Sequence, residues 1–350
     1  MNGQLAESGA HVVMAVRNVK AAQELIQKWQ EEWTGRGLPL NIEVMELDLL
    51  SLDSVVRFAD AWNARLGPLY VLINNAGIFS IGEPQKISKD GDEEHMQVNH
   101  LAPALLSVFL LPSLIRGSPS RTVNVNSVMH YVGFVDPEDM NVVSGKRKFT
   151  SLLGYTSSKL AQPLDCFADS DCLLNLASMY YVFLLELSTR MLQGIFPKLC
   201  KLLIILYHIS SLVRKKQLHE LDEHILLPFS CALSILDLVD RWETLTYKIC
   251  KKTSQLNCGS RSTLFSATDP QIPEYCDLLR ADDWPVCAFM SQDCRPTNPS
   301  KKAHNVETSY EVWEKTLEMI GLPSDAVEKL IEGEEVKCKY GTQQEAALSH

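Results

Sequence analysis

Apolar and polar positions along the first part of the chain alternate between two periods. Residues 11–16 (His11, Val12, Val13, Met14, Ala15, Val16) form a short, nearly continuous apolar run. A parallel strand buried on both faces has that pattern. Ala22, Leu25, Ile26 and Trp29 then recur at three and four, which predicts a helix over 19–32. Residues 41–47 predict a second strand, 51–66 a second helix, 70–73 a third strand, 94–111 a long helix and 121–127 a fourth strand. Strands alternating with helices at this spacing predict an α/β fold with a Rossmann-like, doubly wound parallel sheet.

The pattern breaks near residue 163. Residues 163–256 are rich in Leu, Ile and Cys and poor in Gly, and the apolar spacing predicts helices around 173–192, 197–213 and 225–248, with no strand. Pro163 is expected to kink or end the helix that reaches it. From Cys258 the texture becomes loop-like, with Pro270, Pro273, Pro285, Pro296 and Pro299. Two amphipathic helices follow, near 307–320 and 324–332, separated by Pro323 and Ser324 in the manner of a helix stop and an N-cap.

Composition narrows the function. The chain has 350 residues, 46% apolar and 22% charged, with a formal net charge of -10. That suits a globular protein and argues against a nucleic-acid partner, which needs a basic face. No secretory signal is visible at Met1–Asn2–Gly3–Gln4, and no uncharged apolar run reaches the roughly 18 residues of a transmembrane span. All ten cysteines lie after position 165, and none is spaced Cys-x-x-Cys. Reduced thiols in a cytoplasmic or cytosol-facing protein are expected. His219 and His224 flank a stretch like a zinc-protease helix, but one residue too many separates them for a shared helix face, so no metal is expected.

The chemistry gathers around Tyr155-Thr156-Ser157-Ser158-Lys159. Helical spacing puts the phenol and the ammonium on one face. A nearby cation favours phenolate and would make Tyr155 a proton carrier near neutral pH. The spacing alone is cheap: Tyr247 and Lys251 repeat it. What separates Tyr155 is Ser127 at a strand end, where open parallel sheets hold their ligands. Its hydroxyl is placed to hold a carbonyl oxygen.

Together with Asn74-Asn75-Ala76-Gly77 after the third strand and Val98-Asn99-His100-Leu101 on the long helix, this set resembles the short-chain dehydrogenase/reductase family. Asp90-Gly91 ahead of the helical phrase, and the tail Tyr310 to Lys315, resemble its retinol-dehydrogenase-like branch. The resemblance covers roughly residues 4–162 and 257–345. It implies an oxidoreductase that interconverts a carbonyl and an alcohol, with a lipophilic small-molecule substrate. Tyr155 would be the general acid/base, Lys159 would hold the nicotinamide ribose and lower the phenol's pKa, Ser127 would polarise the substrate oxygen, and Asn99 would hold a relay water. Asn75, Ala76 and Gly77 would line the cofactor, and Asp48 would meet the adenine. Arg17, with no Asp or Glu between His11 and Lys20, implies NADP(H). A homo-oligomer is compatible with the resemblance.

Two family features are missing from the sequence. No strand with a glycine-rich turn precedes Leu5–Ala10, which reads as the end of the helix that should follow such a turn. Residues 163–256 hold no Pro-Gly to close the nicotinamide pocket. The expected layout is therefore one domain in three stretches. Residues 1–162 are a partial dinucleotide-binding region with the catalytic residues, 163–256 an atypical apolar helical segment foreign to the family, and 257–350 a family-like C-terminal region. The alternative function is a non-catalytic relative acting by protein or membrane-surface contacts.

Overall fold

The structure, a computed structural model, describes residues 2–33, 40–80, 82–173, 179–186, 258–281 and 287–341. The chain separates into two compact units, Met1–Glu186 with Ser260–His350, and Leu187–Gly259. The helices expected at 197–213 and 225–248 lie outside the described residues, as do His219, His224, Tyr247 and Lys251.

The first unit is the expected α/β assembly. Strand β1 (Val12–Val16) pairs in parallel with β2 (Ile42–Glu46). Strands β3 (Val71–Asn74), β4 (Ser120–Ser127), β5 (Met179–Glu186) and β6 (Cys287–Ser291) form a second parallel sheet in that order. Among the described residues no strand bridges β1 and β3, and a short helix, Asn2–Glu7, precedes β1. The end of a helix was the expectation there.

The helices over Val19–Glu32 and Leu52–Asn63 start where the sequence supplies caps. Asn18 accepts from the Ala21 N–H at 3.0 Å, and Ser51 from that of Ser54 at 3.3 Å. The long helix Glu94–Arg116 is apolar enough to cross a membrane by length and composition alone. Here it is a core helix: Leu101, Leu105, Leu110 and Leu114 are buried against Val55 and Phe58, Leu160 and Leu164, and Val312 and Leu317. Val123 and Val125 of β4 share a second core cluster with Ile272, Cys276 and Met290.

Three expectations need correction. Met179–Glu186 is a strand, not part of a helix over 173–192, and it pairs in register with β4 and β6. A continuous apolar run does not distinguish helix from strand by period, and Tyr180, Tyr181, Val182 and Phe183 carry strand propensity. The region after Cys258 is not loop alone: helices Cys258–Thr268 and Gln271–Ala281 and strand β6 occupy it. Pro273 falls in the first turn of its helix, where no N–H is needed.

Pro163, finally, does not end its helix, which runs from Ser151 to Leu173. A proline inside a helix deprives the carbonyl four residues back of its donor. That carbonyl belongs to Lys159, and Asn126 Nδ2 donates to it at 3.0 Å. The same arrangement recurs at Pro103 on the long helix. Its ring brings no N–H to the Asn99 carbonyl, and Gln162 Nε2 donates there instead.

Each exchange replaces a lost helical hydrogen bond with a tether between elements. Asn126→Ala should lower stability by about 1–2 kcal/mol in urea denaturation, and by clearly less in a Pro163→Ala background, where the helical N–H returns. Additive effects of the two substitutions would show that the proline and the amide are not coupled.

Candidate active site

The strand-end serine and the helix tyrosine meet. Tyr155 is 5% exposed, and the Ser127 side chain lies close enough to its phenol to favour the ionised form in part. Ser127 itself is held on three sides. Its N–H donates to Asn126 Oδ1 at 2.6 Å, its Oγ accepts from the Met129 N–H at 3.2 Å, and its carbonyl accepts from His130 Nδ1 at 2.8 Å. Phe79 stacks on the phenol with ring centroids 4.1 Å apart and planes at 19°.

Lys159 is buried one helical turn beyond Tyr155, and its Nζ donates to the Val125 carbonyl at 2.9 Å. The expected lowering of the phenol pKa is not found. Burial pushes Tyr155 above its ordinary value, and the nearby Ser127 side chain opposes this in part. The phenol therefore keeps its proton in this state.

Asn99 lies in a π-helical turn, Gln97–Leu101, of the long helix. Its side chain clamps one residue of the segment after β3: Ile78 N–H donates to Oδ1 at 2.8 Å, and Nδ2 donates back to the Ile78 carbonyl at 3.0 Å. Nδ2 also reaches Ser158 Oγ at 3.0 Å. Asn99 thus ties the Asn-Asn-Ala-Gly segment to the helix that carries Tyr155 and Lys159. Asn75, Ala76 and Gly77 are exposed just past β3. A Cβ at Gly77 would sit 3.0 Å from Asn99 Oδ1 and 3.7 Å from Lys159 Nζ, so glycine permits this close approach. Asn74, in contrast, is buried and donates to Asn124 Oδ1 at 2.8 Å, a structural role between β3 and β4.

The remaining candidates sit at the same carboxyl edge of the other sheet. Arg17 is exposed directly after β1, and Asp48 is half-buried two residues after β2. Asp48 Oδ1 accepts from the Leu50 N–H at 3.0 Å, which shapes the turn into the next helix. The strand ends therefore present a basic group at Arg17, an exposed Asn75–Gly77 segment and the Ser127–Tyr155 pair. By its chemistry Arg17 suits a phosphate, and glycine at 77 leaves room for a close approach. A glycine-rich turn for the pyrophosphate is not among the described residues.

Sequence reasoning missed the supports. Asn126 and Gln162 are legible only in hindsight, as amides opposite prolines. His130 is a third. It is fully buried: Nδ1 donates to Ser127 O, and Nε2 accepts from the Ser300 N–H at 3.0 Å. Tyr131 donates to the Asn298 carbonyl, and Lys302 Nζ to that of Gly133 at 2.7 Å. These bonds fasten residues 298–302 over the end of β4.

Comparisons with known proteins establish the family. The family model for short chain dehydrogenases matches residues 1–136. The dehydrogenase/reductase SDR family member FEY of Arabidopsis thaliana is 58% identical, over 98% of this chain and 80% of its own length. The chain belongs to the short-chain dehydrogenase/reductase family, a family of oxidoreductases. Human retinol dehydrogenase 11 is 38% identical, but over 46% of this chain and 48% of its own length. Among solved structures, an uncharacterized protein from Mycobacterium Paratuberculosis superposes with a TM-score of 0.57 at 23% identity, covering 91% of this chain and 86% of that one. That likeness concerns the fold.

The His130 contacts make stability pH-dependent. Burial lowers its pKa from 6.5 to about 4, and that of His100, which bonds Thr316 Oγ1 at 2.9 Å, to about 3. Both rings are neutral when folded, whereas the unfolded chain takes protons below about pH 6.5. Their stabilising effect is thus complete above that pH and is lost as pH falls towards 4. Thermal melts should show the gap in Tm between wild type and His130→Gln narrowing from pH 7 to pH 4. A constant gap would contradict the neutral-imidazole assignment.

Proposed function

We propose that this chain is an NADP(H)-dependent oxidoreductase that interconverts a carbonyl and an alcohol by hydride transfer. The observation that carries the reading is the nearness of the Ser127 side chain to the buried Tyr155 phenol at the carboxyl end of β4. It sets a polarising hydroxyl beside a proton donor where a parallel sheet receives ligands.

When bound, the nicotinamide supplies or accepts the hydride. In the reducing direction Ser127 Oγ orients the substrate carbonyl and Tyr155 gives its proton to the developing alkoxide. The buried, protonated phenol suits that direction. Lys159 holds the nicotinamide ribose beside Gly77, which the nearness of its Nζ to the Gly77 position supports. Asn75, Ala76 and Gly77 line the same end. Asn99 orders this wall through Ile78 and, in the resemblance, holds the relay water. At the other end Arg17 meets the extra phosphate of NADP, and Asp48 lies by the adenine. The substrate class proposed is a lipophilic alcohol, ketone or aldehyde. The name of the relative retinol dehydrogenase 11 and the apolar Phe79 ring at the site support it.

The division of the sheet between β1 and β3 favours a second reading, a non-catalytic relative that acts by contacts with a protein or a membrane surface. The two differ in turnover. With a panel of lipophilic aldehydes and NADPH, Tyr155→Phe should lower kcat by about 100-fold or more. Equal inactivity of wild type and variant would favour the second reading. Arg17→Ala should raise KM for NADPH about tenfold or more while leaving that for NADH nearly unchanged. An equal effect on both cofactors would remove Arg17 as the phosphate partner.

A further inference from the structure

Next to Tyr155 lies a buried hydrogen-bonded couple that the proposed chemistry does not use. Glu93 is 2% exposed and His95 3%. His95 Nε2 accepts from the Ser80 N–H at 3.0 Å. An imidazole nitrogen that accepts carries no proton, so in the neutral ring the proton is on Nδ1. Nδ1 faces Glu93 Oε1 at 2.7 Å and donates to it. The other carboxylate oxygen accepts from the Met96 N–H at 3.1 Å and so caps the start of the long helix. The whole chain of donors and acceptors is therefore oriented, and it ends at one backbone amide of the segment after β3.

That amide is next to Phe79. Ile78 on its other side is clamped through both backbone groups by Asn99. Phe79 is thus held at both neighbours, and its ring lies flat on the Tyr155 phenol. Phe79 is half-buried, whereas the tyrosine beneath it is buried. The couple is also packed against the helix that carries Tyr155. A Cβ at Gly154 would lie 3.2 Å from both Glu93 Oε2 and His95 Nδ1, and the His95 ring is 6.5 Å from that of Tyr155 in an edge-on arrangement.

We propose that Glu93 and His95 are positioning residues: through the Ser80 amide they fix Phe79 as a cover on the face of the Tyr155 ring. Phe79 then screens the phenol from water on that side and forms an apolar wall of the substrate site. The assignment deepens the oxidoreductase reading, since the wall has a purpose only if Tyr155 handles protons. The geometry itself needs neither cofactor nor turnover.

Nitration of the 350-residue chain by tetranitromethane, mapped by mass spectrometry, tests it, with the exposed Tyr70 as internal reference. In wild type Tyr155 should label far more slowly than Tyr70. Phe79→Ala and His95→Leu should raise Tyr155 labelling several-fold and leave Tyr70 unchanged. His95→Gln, whose side-chain oxygen can accept the Ser80 N–H, should restore protection. Unchanged Tyr155 labelling in Phe79→Ala, or a rise at all tyrosines alike in His95→Leu, would overturn the proposal. Hydrogen exchange of wild type supplies a check that needs no variant: the Ser80 amide should exchange slowly, and fast exchange would break the link to His95. Because neither measurement uses NADPH, their failure leaves the oxidoreductase reading standing. Failure of turnover with these results intact would sink that reading alone.

Discussion

The arrangement of the candidate site depends on how one helix is held against one strand. Ser151–Leu173 carries Tyr155 and Lys159, and Ser120–Ser127 ends in the serine beside the tyrosine. Leu160 and Leu164 pack the helix into the cluster of Leu101, Leu105 and Val312, whereas Val123 and Val125 of the strand belong to a separate apolar cluster. Packing is non-directional and does not fix how the helix face carrying Tyr155 sits at the end of the strand. The directional constraint comes from two side-chain amides. Asn126 takes the Lys159 carbonyl that Pro163 leaves without a donor, and Gln162 takes the Asn99 carbonyl opposite Pro103. Prolines that would weaken an isolated helix here free the carbonyls by which neighbouring elements grip it.

The same logic extends outward from Ser127. A buried carbonyl or N–H must find a partner, and around this strand end the partners come from distant parts of the chain. His130 joins Ser127 to Ser300, and Asn99 joins Ile78 to Ser158. The C-terminal third therefore belongs to the site, although it supplies no candidate catalytic group. Its helix Val306–Met319 reaches back to the long helix through Thr316 and His100.

Much of this was legible from the residues. The strands at 12–16, 42–46, 71–74 and 120–127 and the helices at 19–32 and 52–63 fall on the stretches that the apolar pattern predicts. The meeting of Ser127 with Tyr155 follows from a strand end and a helix face, given the family resemblance. What escaped were features set by tertiary partners. The strand Met179–Glu186 is apolar without a break up to Leu185, so its period is silent on its conformation. Pro163 reads as a helix stop until Asn126 is seen on the other side. The phenol reads as acidified by Lys159 until burial and the turn of Nζ towards Val125 are seen. In each case a local rule was overridden by a contact far away in sequence.

Under the proposed function, the strand ends at Arg17, Asn75–Gly77 and Ser127, with Lys159 on its helix, form a cofactor surface, although no strand among the described residues joins β1 to β3. Calorimetric titration of the 350-residue chain with NADPH tests this most directly. The account predicts saturable binding at one site per chain. Absence of binding at millimolar NADPH to a chain shown to be folded would contradict it.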